Sequence, residues 1–131
     1  MLAIKASCPA THLPLRIADA RPKLNANANA MAGKGFENVS FMGGSSVVSL
    51  VFMDIDNIHV MRGSLARIKE GFGCHSDSSG SGGASGSGGS GGGIEASRWL
   101  NHLAGLLKGA CGIADSLCMG HSMLVHCSDG W

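Results

Sequence analysis

Met123-Leu124-Val125-His126-Cys127-Ser128-Asp129-Gly130-Trp131 is the stretch on which the reading of this chain turns. A short apolar, β-prone run ends on a histidine and a cysteine, and a small, polar, glycine-containing stretch follows. Such a strand end wraps successive backbone N–H groups into a nest for an anion. A cysteine at its mouth is a nucleophile only as the thiolate, so a thiol pKa of about 8.5 has to be lowered by nearby donors or positive charge. Loop amides and a following helix N-terminus supply such donors. Attack on phosphorus also needs a guanidinium to hold the equatorial oxygens in a planar, bidentate contact. Buried, inert cysteines after strands are common, and by itself the stretch leaves that reading open.

Upstream, Ser122 to His126 reads as the strand that delivers Cys127, after a turn at Met119-Gly120. Before the turn, Trp99, Leu103, Leu106, Ala110, Ile113 and Leu117 recur at intervals of three or four and make one apolar helical face, with Ser97 as its cap. Gly105, Gly109 and Gly112 each weaken that helix by roughly 1 kcal/mol relative to alanine unless they allow close packing. Residues 76 to 93 are almost all serine and glycine, cannot bury enough surface to order themselves, and read as a flexible tether.

Residues 47 to 53, Val-Val-Ser-Leu-Val-Phe-Met, form a continuous β-prone run that suits a strand buried on both faces of a parallel or mixed α/β sheet. Asn57 stands where a helix N-cap belongs, and Ile58, Met61, Leu65 and Ile68 follow at helical spacing. The run Asn25-Ala26-Asn27-Ala28-Asn29-Ala30 reads on composition as low complexity, and its place after Arg21-Pro22 favours a loop instead.

The net charge is +1, from 10 basic and 9 acidic residues without a basic cluster, which argues against nucleic-acid binding and strong electrostatic membrane attachment. Five irregularly spaced cysteines fit a reducing compartment better than a disulfide framework. No stretch approaches the roughly 20 apolar residues of a membrane span, and the N-terminus is too short in apolar length for a signal peptide. A chain of 131 residues with a long Gly/Ser tract builds only a thin core. Cys118, His121, His126 and Cys127 supply two sulfurs and two nitrogens, but adjacent strand residues point to opposite faces, so no metal site is assigned.

Four blocks carry a resemblance. His126-Cys127-Ser128-Asp129-Gly130-Trp131 is one; Ala20-Arg21-Pro22-Lys23-Leu24-Asn25-Ala26-Asn27-Ala28-Asn29 with Gly33-Lys34-Gly35-Phe36-Glu37-Asn38 is a second. Val51-Phe52-Met53-Asp54-Ile55-Asp56-Asn57-Ile58-His59-Val60-Met61-Arg62 with Ser64-Leu65 is a third, and Ile94-Glu95-Ala96-Ser97-Arg98-Trp99-Leu100-Asn101-His102-Leu103 is a fourth. In this order they resemble the myotubularin family of phosphoinositide phosphatases, over about residues 17 to 70 and 94 to 131.

The resemblance implies an α/β fold, an incomplete cysteine-phosphatase-like domain with a central sheet flanked by helices. It divides the chain into an unassigned segment 1–16, a first domain part 17–75, the Gly/Ser-rich loop 76–93 and a second part 94–131 that ends inside the phosphate loop. Removal of the D3 phosphate from phosphatidylinositol 3-phosphate or 3,5-bisphosphate is the implied activity, through a cysteinyl-phosphate on Cys127 and without a cofactor. The amides of Ser128, Asp129, Gly130 and Trp131 would cradle the phosphate, His126 would support the loop, and Asn29, Asn57 and Ile58 would line the headgroup pocket. The family's loop continues Asp-Arg-Thr past Trp131, so residues 1–131 alone are expected to be inactive. The alternative is a catalytically dead pseudophosphatase or scaffold. Also implied are a cytoplasmic protein peripheral on endosomal membranes, a phosphoinositide partner, and homo- or hetero-oligomers with similar chains.

Overall fold

Leu15-Arg16-Ile17-Ala18-Asp19 forms the central strand of the sheet, a segment for which the sequence reading had assigned no element. The computed structural model describes residues 2–6, 12–31, 33, 35–72 and 92–128. Along the chain these form α1 (Leu2–Ala6), β1 (Leu15–Asp19), α2 (Lys23–Met31), a 3-10 turn at Val39–Met42, β2 (Val48–Phe52), α3 (Ile58–Gly71), α4 (Gly92–Ser97), α5 (Trp99–Cys118) and β3 (Met123–His126). The fold is α/β, as expected: among the described residues, three parallel strands lie in the order β2-β1-β3.

The register pairs Ile17 with Leu50 and Leu124, and Ala18 with Val51 and Val125. Alternation then puts Leu15, Ile17 and Asp19 on one face of β1, and Arg16 and Ala18 on the other. On the first face Leu15, Ile17 and Val48 are buried, with Met42, Val47, Leu50 and Leu124 packed against them. Phe36 meets Phe52 edge to face, ring centroids 5.3 Å apart. The run at 47–53 does become β2, trimmed by one residue at each end, but it is not buried on both faces: Val51 is 52% exposed. Order explains this, because β2 and β3 are the outer strands, and Val125 is likewise 50% exposed.

The alternating Asn-Ala run is helical rather than a loop. Pro22 holds a φ suited to helix entry, the Ala26 N–H donates to the Pro22 carbonyl at 3.0 Å, and the alanines favour continuation. Asn57 caps α3 as anticipated: its side-chain oxygen accepts from the N–H groups of His59 at 3.0 Å and Val60 at 3.1 Å. Gly120, at φ 86°, ends α5: its N–H reaches the Leu117 carbonyl, while that of His121 reaches Ser116. That pair of bonds is the Schellman stop, which demands a left-handed residue.

The chain divides into two compact units, Met1–Ile55 with Gly105–Trp131, and Asp56–Ala104. The first contains the sheet and most of α5. Arg16 Nη1 donates to Ser116 Oγ at 2.8 Å, and Ser116 donates to the Gly112 carbonyl at 2.7 Å. In the second unit, Ser64 Oγ donates to the Ser97 carbonyl at 2.6 Å. Ser97 Oγ in turn accepts from the Trp99 N–H at 3.2 Å, the capping role expected of it, although Ser97 is itself the last residue of α4. His102 Nδ1 lies 3.4 Å from Asp56 Oδ2. Within the expected tether, residues 76–91 lie outside the described residues, and Gly92 and Gly93 already belong to α4. Among the described residues no helix is long and apolar enough to cross a membrane.

Candidate active site at the carboxyl ends of the strands

Ligands of open parallel sheets bind beyond the carboxyl ends of the strands, at the point where successive connections leave in opposite directions. In the order β2-β1-β3 that switch point lies between β1 and β3. The residues there are Asp19 at the end of β1 with Ala20 and Arg21 after it, and His126 at the end of β3 with Cys127 and Ser128 after it. The Ala20 N–H donates to the His126 carbonyl at 2.8 Å and extends the pairing to the last residue of β3.

Asp19 is fully buried and is the register partner of His126. A buried carboxylate persists only when paired and hydrogen-bonded. Arg21 does both. Its Nε lies 2.9 Å from Oδ1 and 3.1 Å from Oδ2, its Nη2 2.6 Å from Oδ2, and its backbone N–H 3.0 Å from Oδ1. Burial pushes the Asp19 carboxyl up, but the hydrogen bonds and charge of Arg21, with the charge of His126, outweigh it and hold the group below the usual carboxylate range. Arg21 is raised in turn, first by its hydrogen bond to Asp19 and further by the negative charge of Asp19, Glu37 and Cys127, against desolvation. The cation is thus anchored on Asp19. Arg21 Nη2 donates additionally to the Gly35 carbonyl at 3.3 Å, which ties the segment leading to Glu37 into the site.

His126 sits between Cys127 and Glu37. Its Nδ1 is 3.0 Å from the Cys127 carbonyl oxygen, and its Nε2 is 3.1 Å from Glu37 Oε2. The second contact is a close approach outside hydrogen-bond alignment, and both of its atoms are buried. Cys127 is half-buried and carries no disulfide.

The remaining expected site residues are distributed as follows. Ser128 is exposed directly after Cys127, and Asp129, Gly130 and Trp131 lie outside the described residues. Asn29 is half-buried in the last turn of α2, in the same unit as Cys127. Asn57 and Ile58 start α3 in the second unit, where Asn57 caps the helix and Ile58 is 57% exposed. Of the rival zinc ligands, Cys118 is exposed and His121 is held by the Pro14 carbonyl at 3.1 Å; among the described residues no three His, Cys, Asp or Glu are grouped to hold a metal ion.

Sequence reasoning had not given Asp19, Arg21 and Glu37 a role. One signal was on the page for Asp19: an acidic residue closing the apolar alternation Leu15-Arg16-Ile17-Ala18 two residues before an arginine.

Comparison with known proteins agrees with this geometry. The family signature described as Myotubularin-like phosphatase domain matches residues 2–131. Among curated proteins the chain is 42% identical over 116 residues to mouse phosphatidylinositol-3,5-bisphosphate 3-phosphatase MTMR6, covering 88% of this chain and 17% of that one. It is 40% identical over 118 residues to Xenopus laevis myotubularin, with coverages of 89% and 18%. To human phosphatidylinositol-3-phosphate phosphatase MTMR7 it is 40% identical over 116 residues, with coverages of 88% and 16%. The chain therefore spans less than a fifth of the length of these relatives. A parallel sheet that presents a cysteine at its switch point, and a family match over nearly every residue, place this chain in the myotubularin-like phosphatase domain family.

Proposed function

We propose that this chain is the nucleophile-bearing segment of a phosphatase that removes the D3 phosphate from phosphatidylinositol 3-phosphate or 3,5-bisphosphate. The observation that carries the reading is the position of Cys127, one residue beyond β3 at the β1/β3 switch point, with Arg21 close enough for its charge to be coupled to the thiol. The similarity to relatives named for these two lipids supplies the substrate class.

In the proposed reaction the Cys127 thiolate attacks phosphorus to form the sulfur–phosphorus bond as the bond to the inositol oxygen breaks, that oxygen taking up a proton from solvent. Water then cleaves the sulfur–phosphorus bond, releasing inorganic phosphate and restoring the thiolate. The amides from Ser128 to Trp131 hold the phosphoryl oxygens, and Asn29, Asn57 and Ile58 contact the headgroup. A phosphate loop of this kind takes its guanidinium from the sixth residue after the cysteine. Residues 1–131 on their own are accordingly expected to release no phosphate, since preorganised charge stabilisation of the transition state contributes about 3 kcal/mol or more in comparable sites.

The test is phosphate release from vesicles containing either lipid, by the full-length chain that carries this segment. Release that vanadate inhibits and Cys127→Ser abolishes is the expected result. Tight headgroup binding without release would sink the enzyme reading and leave a scaffold.

A further inference from the structure

The His126–Glu37 contact is a charge relation that the reaction above does not use. A carbonyl oxygen only accepts, so the 3.0 Å approach of His126 Nδ1 to the Cys127 carbonyl requires the proton on Nδ1. In a neutral ring Nε2 would then carry a lone pair 3.1 Å from the Glu37 carboxylate. Two buried acceptors facing each other repel, and neither atom has another partner among the described residues. A proton on Nε2 turns that repulsion into an attraction between opposite charges.

The other charged groups around the ring do not compete for this proton. Asp19, the register partner of His126, is filled by four hydrogen bonds from Arg21, and Arg21 is itself a cation. The Cys127 backbone already uses Nδ1. Glu37 is thus the one carboxylate among these neighbours with an oxygen to give.

We propose that Glu37 is a positioning residue of this site, holding His126 as an imidazolium that fixes the peptide between Cys127 and Ser128. The inference rests on the reading of Cys127 as nucleophile. No cis peptide is present, so the Ser128 N–H points opposite to the Cys127 carbonyl. Holding the carbonyl against His126 therefore turns the first amide of the phosphate nest away from the strand. The imidazolium is next in sequence to the thiol, so its positive charge favours the thiolate.

The experiment compares wild type, Glu37→Gln, Glu37→Asp, His126→Ala and the Glu37→Gln/His126→Ala double variant of the full-length chain, with phosphatidylinositol 3-phosphate vesicles as substrate. Iodoacetamide alkylation of Cys127 against pH is followed beside kcat and KM. In Glu37→Gln the alkylation midpoint and the acid limb of kcat/KM are expected to move to higher pH. Its kcat should fall roughly tenfold or more, towards the 10²-fold that a misplacement of about 1 Å costs, with KM nearly unchanged. Glu37→Asp restores part of the pH profile, and the double variant behaves as His126→Ala alone. Unchanged alkylation and acid limb in Glu37→Gln, or additive losses in the double variant, overturn the proposal. Activity surviving Cys127→Ser defeats the nucleophile reading itself, so the two failures are told apart.

Discussion

Arg21 folds back onto Asp19, two residues earlier, and grips its carboxylate through Nε at 2.9 Å and Nη2 at 2.6 Å, with both residues buried. The arrangement couples the end of the central strand to the charge state of the site. Because the folded-state pKa of Asp19 is depressed, the pair adds stability above the unfolded value of about 3.9, lost as the pH falls through the lowered folded value. Asp19→Asn strands a buried guanidinium and is expected to cost about 3–5 kcal/mol near neutral pH. The difference from wild type should shrink below the folded-state pKa in urea unfolding of the full-length chain followed against pH.

The three glycines of α5 separate by their surroundings. A Cβ at Gly105 or Gly112 meets nothing within 4 Å, whereas at Gly109 it comes within 3.1 Å of Met53 Cε and 3.4 Å of Ile55 Cδ1. Gly105→Ala and Gly112→Ala should each stabilise by about 0.5–1 kcal/mol. Gly109→Leu should destabilise by about 1–3 kcal/mol through overpacking. Thermal melting of the three variants checks the order.

Asn57 has two proposed duties that one substitution separates. Aspartate caps a helix as well as asparagine, so Asn57→Asp should leave stability within a few tenths of a kcal/mol while Asn57→Ala loses about 1 kcal/mol. If the residue also contacts an anionic headgroup, Asn57→Asp raises KM for phosphatidylinositol 3-phosphate despite the intact cap. Melting and steady-state kinetics on the same variant read the two duties independently.

Ser64 is completely buried, and its hydroxyl is 2.6 Å from the Ser97 carbonyl. Ser64→Ala removes that donor and should cost about 1–3 kcal/mol. Faster hydrogen exchange confined to α3 and α4 would show the loss to be local to their unit.

What could be read along the chain was whatever a short window contains. Val48–Phe52 carries its own β-branched signal, Asn57 its own cap, and α5 its own apolar period. The strand that delivers Cys127 was legible because its apolar run and the turn at Met119-Gly120 are neighbours in sequence. β1 was not, because Arg16 and Asp19 interrupt its apolar run: Arg16 finds its hydrogen-bond partner Ser116 only in space, and Asp19 is paired by Arg21 two residues on only once the chain folds back. Glu37 was hidden for the same reason: its partner His126 belongs to a different element far along the chain. The burial of β2 was overstated because composition does not tell an inner strand from an outer one, and strand order does.

That strand order also bears on how the polypeptide behaves in a test tube. Among the described residues β1 lies in the middle, and the outward rims of β2 and β3 carry backbone donors and acceptors beside the half-exposed Val51 and Val125, so each rim is a template for a further strand. Prepared at high concentration, the 131-residue chain is expected to associate with its own copies along those rims.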